Sequence, residues 1–523
     1  MTRTFLRSFM VLAIGLTSIN VSAQSKKQPA AKPAAKVSAQ APVAALKTYV
    51  IKGNVKNFTE TFWSYFSSGL FKNLVIDVPV KADGSFFKTM ETGNTSDIHF
   101  YLGEGLSALA KPGDTLTVEW DNKDIDDTFK ITSNSGERQQ ELDLLLQLSK
   151  QYRKPMMDAV TALRSKDIAD VEKFNKISEL FTGEVKLLVK GPVTGNSKKI
   201  LYDIYFRNLD MISKLNKTSK TNYVLPLAAA IPDNLKGMFG TANFYQTESW
   251  GYIDKVLDET MFMASHEYRD FLVSKVQGER PFSTVTYEGP AHENTESNFT
   301  LLNCYGAIAK LNLSPLILDW YLAHTIIDGF GYYPFDHVEA AYKRMLPEMK
   351  TAAFKDELTA YYKAMHTLKP GNPAPIISLK DENGKTVSLS DFKGKVVFMD
   401  FWGVYCGPCI GDIKTYGVEF HQKYKDKGVV FLNICVDAGV NEWKKSIADL
   451  KFDGINLRAP SPADPACKAY NVEGIPHYII IDAKGNIVNN NAPNMGSLMG
   501  KGFSIKLDKQ GNNELDLAIT ANK

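Results

Sequence analysis

Cys406-Gly407-Pro408-Cys409 is the part of the 523-residue sequence whose residue types and spacing most directly suggest chemistry. Two cysteines at i and i+3 on a first helical turn can bring their sulfurs within bonding distance and close a small disulfide ring. A helix N-terminus lowers the pKa of the first thiol from about 8.5 toward about 7 or below, through unpaired N–H groups and the helix dipole. Thiolate is the nucleophile, so Cys406 is expected to attack, and Cys409, one turn inside, to resolve the mixed disulfide. The same C-x-x-C could hold zinc. Zinc needs a second ligand pair, and none is evident in the sequence.

The elements that must position these sulfurs read as α/β. Lys395-Val396-Val397-Phe398-Met399-Asp400-Phe401 is a continuous apolar run ending beside a polar site, as a buried parallel strand does. A helix-length segment, Pro408–Lys427, follows, and Val429–Cys435 is a second buried strand. A further helix is expected from near Asn441. Tyr478–Asp482 and Asn486–Val488 form a hairpin around Lys484-Gly485. Strand, helix, strand, helix and hairpin is an α/β order.

Phe401-Trp402-Gly403-Val404-Tyr405-Cys406-Gly407-Pro408-Cys409 closely resembles the active site of thioredoxin-like proteins, in particular the exported TlpA/ResA-like thiol–disulfide oxidoreductases. Val472-Glu473-Gly474-Ile475-Pro476 with the hairpin after it resembles the same family over roughly residues 369–495. The resemblance implies that Pro476 is cis and faces the disulfide. It also implies that the Ile475 backbone pairs with substrate like an added strand, with Trp402 and Tyr405 as further substrate-binding residues. Two acids match positions that matter in the superfamily. Asp400 stands where a buried carboxylate helps the resolving thiol lose its proton, and Asp412 where the ResA-like branch carries an acidic residue. There are departures. Tyr405 replaces the usual Trp, Lys414 stands where the helix often has Pro, and Ser504–Ile519 reads as a hairpin around Gly511-Asn512 rather than a closing helix.

The remaining chain reads as a leader and two further regions. Residues 1–23 carry Arg3 and Arg7, an apolar run of about ten residues and a small-residue cleavage site at Val21-Ser22-Ala23, as an export signal does. No Cys precedes Cys304, so a lipidated N-terminal cysteine is not expected. Residues 24–46, rich in Ala, Pro and Lys, read as a linker. Residues 47–135 carry short strand patterns and turn signals, suggesting a small β-sandwich. Residues 136–366 have helical spacing and are expected to be mostly helical, and 367–523 form the thioredoxin-like domain. The fold class expected is therefore multidomain.

Composition narrows the function classes. The formal charge is +3, from 61 Lys+Arg against 58 Asp+Glu, and nothing in that balance calls for nucleic acid. Cys435, Cys467 and Cys304 read as structural, and His477 as either a substrate-facing or a surface residue. Gly496–Lys501 falls short of a phosphate loop, and no cofactor or metal is expected. The expected activity is reduction of protein disulfides in the periplasm or cell envelope, with a membrane partner supplying electrons. The rival from another class is a binding or scaffolding protein with a vestigial thioredoxin fold, against which intact Cys406, Cys409 and Pro476 argue. The sequence fixes no oligomeric state.

Overall fold

A computed structural model describes residues 47–58, 62–67, 74–92, 98–102, 106–110, 112–191, 195–219, 221, 223–226, 230–236, 259–278, 313–501, 507–508 and 510–521. The leader, the linker and Cys304 lie outside these residues.

The first region is β-rich. Strands β1 (Lys47–Lys56), β4 (Ser85–Thr92), β7 (Thr115–Asp121) and β8 (Lys130–Ser133) form one four-stranded sheet in the order β4-β1-β7-β8. Strands β2 (Phe62–Ser67), β3 (Leu74–Val78), β5 (Ile98–Leu102) and β6 (Leu106–Ala110) form a second, in the order β3-β2-β5-β6. Period-2 alternation buries Leu116, Val118 and Trp120 along β7. They pack with Tyr49, Ile51, Phe86 and Met90, and with Val78 and Ala110 from the ends of β3 and β6.

The middle region is helical. Its longer helices are Gly136–Arg164, Asp170–Leu188, Gly195–Ser219, His266–Gly278, Pro315–Tyr332, Phe335–Met345 and Ala352–Thr367. Ser135 caps the first, its hydroxyl accepting from the Arg138 N–H. Pro315 opens another, where its missing N–H costs nothing.

The C-terminal region is a seven-stranded sheet in the order β10-β9-β13-β12-β11-β14-β15. Its strands are β9 (Ser378–Asp381), β10 (Thr386–Ser388), β11 (Val396–Trp402), β12 (Val429–Cys435), β13 (Ile455–Arg458), β14 (His477–Ile481) and β15 (Ile487–Ala492). Central β11 runs parallel to β12 and antiparallel to β14. Every residue of β11 is buried, because its two faces feed two cores. Val397, Met399 and Phe401 join an apolar cluster continuous with the helical region. Val396, Phe398 and Trp402 join a second cluster that contains both cysteines of the motif.

Two expectations need correction. The segment Pro408–Lys427 is not one α-helix, since Gly407–Asp412 and Val418–Lys425 are separated by a π-helical turn over Ile413–Gly417. Lys414 lies within that widened turn. Residues 504–506 and 509 of the expected hairpin lie outside the described residues, and its second half is a helix, Glu514–Thr520, instead of a strand. Asn513 and Asp516 form a reciprocal capping box, and Leu515, Ala518 and Ile519 bury against the second core. Gly511 does turn the chain, at φ 82°, but the turn leads into that helix.

Candidate active site

Strand β11 delivers the chain to the site at Trp402, and Gly403 makes the next step possible. A Cβ at Gly403 would sit 2.3 Å from Asp437 Oδ2 and 2.6 Å from Ile475 Cδ1, so no larger residue fits without a shift. Asp437, just past the end of β12, fixes the loop that follows. Its oxygens accept from the N–H groups of Val404, at 2.7 Å, and Tyr405, at 3.1 Å. Both strands thus converge on the residues before Cys406.

Cys406 and Cys409 are joined by a disulfide, with their Cα atoms 5.2 Å apart. Cys406 is the N-cap of the helix, and its Sγ accepts from the Cys409 N–H at 3.1 Å. That N–H would stabilise a thiolate at Cys406 in the reduced form. Cys406 is 8% exposed and Cys409 1%, while Gly407 and Pro408 lie at the surface. The asymmetry gives Cys406 the outer position.

The Ile475–Pro476 bond is cis, and the Ile475 carbonyl oxygen lies 3.6 Å from Cys406 Sγ. Ile475, Pro476 and Tyr405 are half-buried. Trp402 is the exception among the expected substrate contacts. It is fully buried and packs edge-on against Phe452, 5.5 Å between ring centroids. Strand parity puts it on the face of β11 shared with Val396 and Phe398, in the cluster that also holds both cysteines, so it supports the site from within the core. His477 is half-buried, with Nε2 enclosed and without a partner. Burial pushes its pKa down to about 4, so the ring is neutral at pH 7.

Two buried carboxylates stand on the elements that carry the motif, Asp400 on β11 and Asp412 at the end of the short helix that Cys406 caps. Asp400 is 1% exposed and neither oxygen has a hydrogen-bond partner. Burial, and then the neighbouring Asp412, raise its pKa well above the usual carboxylate range. Asp412 accepts from the Tyr478 hydroxyl at 2.7 Å and from the Met495 N–H at 3.2 Å. Burial raises its pKa too, opposed by those bonds. Acids shifted upward in this way hold a proton to higher pH than ordinary surface carboxylates do, which makes them candidates for proton transfer.

Cys435 is fully buried with its Sγ 3.7 Å from Asp437 Oδ1, and Cys467 is buried too, its Sγ 3.7 Å from the Ser461 carbonyl. Burial pushes the Cys435 thiol pKa up, so it stays protonated and unreactive. No metal-ligating cluster occurs among the described residues. Asp437 and Tyr478 had no signal in the sequence reading beyond their places at the end of one strand and the start of another.

A family profile described as Redoxin matches residues 369–498. The thiol-disulfide oxidoreductase ResA of Bacillus cereus (strain ATCC 10987 / NRS 248) is 34% identical over 131 residues, covering 24% of this chain and 72% of that protein. ResA of Bacillus subtilis (strain 168) is 31% identical over 131 residues, covering 25% of this chain and 70% of the relative. The solved thioredoxin domain of a thiol-disulfide oxidoreductase from Bacteroides vulgatus is 33% identical, covering 23% of this chain and 87% of that one, with a TM-score of 0.22.

Proposed function

Since the chain belongs to the ResA-like thiol–disulfide oxidoreductases of the thioredoxin superfamily, we propose that it is an exported reductase of protein disulfides. The observation that carries this reading is the Cys406–Cys409 disulfide with the Ile475 carbonyl 3.6 Å from Cys406 Sγ. In the reduced protein, Cys406 thiolate attacks one sulfur of a substrate disulfide, forming a mixed disulfide and releasing the other substrate sulfur as thiolate. The substrate backbone pairs along Ile475, beside Pro476 and Tyr405. Cys409 then gives its proton to whichever of Asp412 and Asp400 is ionised at that moment and attacks Cys406 Sγ, expelling the second substrate sulfur. The protein is left in its disulfide form, two electrons poorer. A donor dithiol, supplied from a membrane partner, returns them.

The direction of flow follows from the residues around the sulfurs. Neither Gly407 nor Pro408 has a side chain that could donate a hydrogen bond to a Cys406 thiolate. Any negative charge on Asp412 disfavours charge on sulfur. Less thiolate stabilisation means a less stable dithiol and a lower potential, nearer about −270 mV than about −120 mV. Residues 1–23 act as the export signal and 24–46 as a linker. Residues 47–135, as a two-sheet sandwich, and helical 136–366 serve recognition or assembly, and 367–523 carry the catalysis. No helix among the described residues is long and apolar enough to cross a membrane.

Equilibration of the protein against a glutathione or dithiothreitol series tests the direction. A potential above about −180 mV, the value typical of disulfide isomerases, would overturn the reductase assignment.

A further inference from the structure

The helical region reaches the segment that faces the disulfide through one compact set of hydrogen bonds. Tyr361, 3% exposed on helix Ala352–Thr367, donates its hydroxyl to Glu473 Oε1 at 2.8 Å. Asn471 Nδ2 donates to the same Glu473 oxygen at 2.7 Å and to the Tyr361 hydroxyl oxygen at 3.1 Å. The three side chains close a triangle across a sequence separation of about 110 residues. Asn471 adopts φ 49°, the left-handed conformation that Asn tolerates better than most residues. That turn carries its amide back to the helix. Glu473 is two residues before Ile475, whose carbonyl lies 3.6 Å from Cys406 Sγ.

Both ends of this connection are rigidly based. On the helical side, Tyr361 packs edge-on against Phe330, 5.7 Å between ring centroids. On the other side, the preceding Tyr470 is fully buried and donates its hydroxyl to the Pro375 carbonyl at 2.6 Å. Asn490 Nδ2 donates to the Tyr470 carbonyl at 3.2 Å. A second tie, from Asn491 Nδ2 to the Gly331 carbonyl, fastens β15 to the end of helix Pro315–Tyr332. The helices therefore grip the chain just before cis-Pro476 and the hairpin just after it.

We propose that Tyr361 is a positioning residue for the Ile475–Pro476 segment, acting through Glu473 and Asn471, so that the helical region sets how firmly a protein substrate is held. This rests on the reading of Ile475 as the substrate-pairing backbone. Each of the three hydrogen bonds joins Tyr361, Asn471 and Glu473 to one another and ends on neither cysteine, so the contact bears on how the backbone is held rather than on the sulfur chemistry. The expected signature is thus a change in KM without a change in kcat or potential. Small disulfides, which do not need the added-strand pairing, should not sense it.

The experiment uses the full chain, with insulin as the protein disulfide, dithiothreitol as the electron donor and oxidised glutathione as the small disulfide. Tyr361→Phe keeps the ring in the core and removes only the hydroxyl. Asn471→Gly keeps the positive φ and removes only the amide. Each should raise KM for insulin roughly three- to tenfold, the range one such hydrogen bond commands. The kcat, the potential and the rate with oxidised glutathione should stay at the wild-type values. Glu473→Gln, which keeps an acceptor oxygen for the tyrosine, should stay near wild type. An unchanged KM in both Tyr361→Phe and Asn471→Gly would overturn the proposal. So would an equal fall in rate with oxidised glutathione, which would mean general damage to the site. A wild-type protein that reduces oxidised glutathione but not insulin would overturn the protein-substrate reading itself, and this inference with it.

Discussion

Replacing Asp400 by Asn should change how stability depends on pH, and the sign follows from burial. The carboxyl is 1% exposed with both oxygens unpartnered, and burial followed by the nearby Asp412 holds its pKa well above the usual range. Below about pH 4 the group is protonated in folded and unfolded chains alike, and it contributes no slope. Above that, the unfolded chain releases the proton and the folded chain keeps it. Stability therefore falls as pH rises, by up to about 1.4 kcal/mol per pH unit for one retained proton, and the fall ends at the folded pKa. Asn carries no titrating proton, so this component vanishes. An imperfectly paired buried amide would shift the whole curve by a constant and leave the slope untouched. The assay is native-state hydrogen exchange of the oxidised protein, read on a peptide spanning β11 between pH 5 and 7 and corrected for intrinsic rates. A wild-type profile parallel to that of Asp400→Asn would refute the claim that Asp400 is held protonated.

Two further outcomes test the geometry of the loop. In the reduced protein, iodoacetamide should label Cys406 well before Cys409, since the outer sulfur alone lies at the exposed helix start; mass spectrometry of early time points reads this, and preferential labelling of Cys409 would reverse the assigned roles. Gly403→Ala should destabilise the oxidised protein by about 1–3 kcal/mol, because its Cβ would lie 2.3 Å from Asp437 Oδ2. Thermal unfolding measures that loss. The cost should shrink when Asp437→Ala is added, and strict additivity of the two would contradict the contact.

The Cys406–Cys409 disulfide and the cis bond before Pro476 were legible because their information is local: a spacing of three on a helix start, and an Ile-Pro before a hairpin. Strands β11 and β12 were legible as apolar runs each interrupted by a single polar residue, Asp400 and Asn433, since a strand buried on both faces has no alternation to confuse it. Trp402 was misjudged because adjacency to the motif suggested contact with substrate, whereas both faces of β11 are covered and its ring is fully enclosed in the cluster beside the cysteines. The closing helix was missed because only three of its seven residues are buried, and its start is set by a capping pair rather than by an apolar stripe. Strands β2, β6 and β8 carry only a weak strand pattern, being short and mixing Ser, Thr or Lys with their apolar residues. Asp437 and the Tyr361–Glu473 contact act across large sequence separations, and nothing in a linear pattern pairs them.

The apolar cluster shared by the helices and one face of the C-terminal sheet bears on how the protein comes into being. Tyr361, Met365 and Leu368 belong to the same cluster as Val397, Met399, Ile434 and Ile479. A ribosome delivers the helical residues first, so this side of their apolar surface waits uncovered until the last quarter of the chain has been synthesised. During that interval it is a natural landing site for a holdase chaperone. Cutting the gene between the two regions would make the wait permanent for both halves.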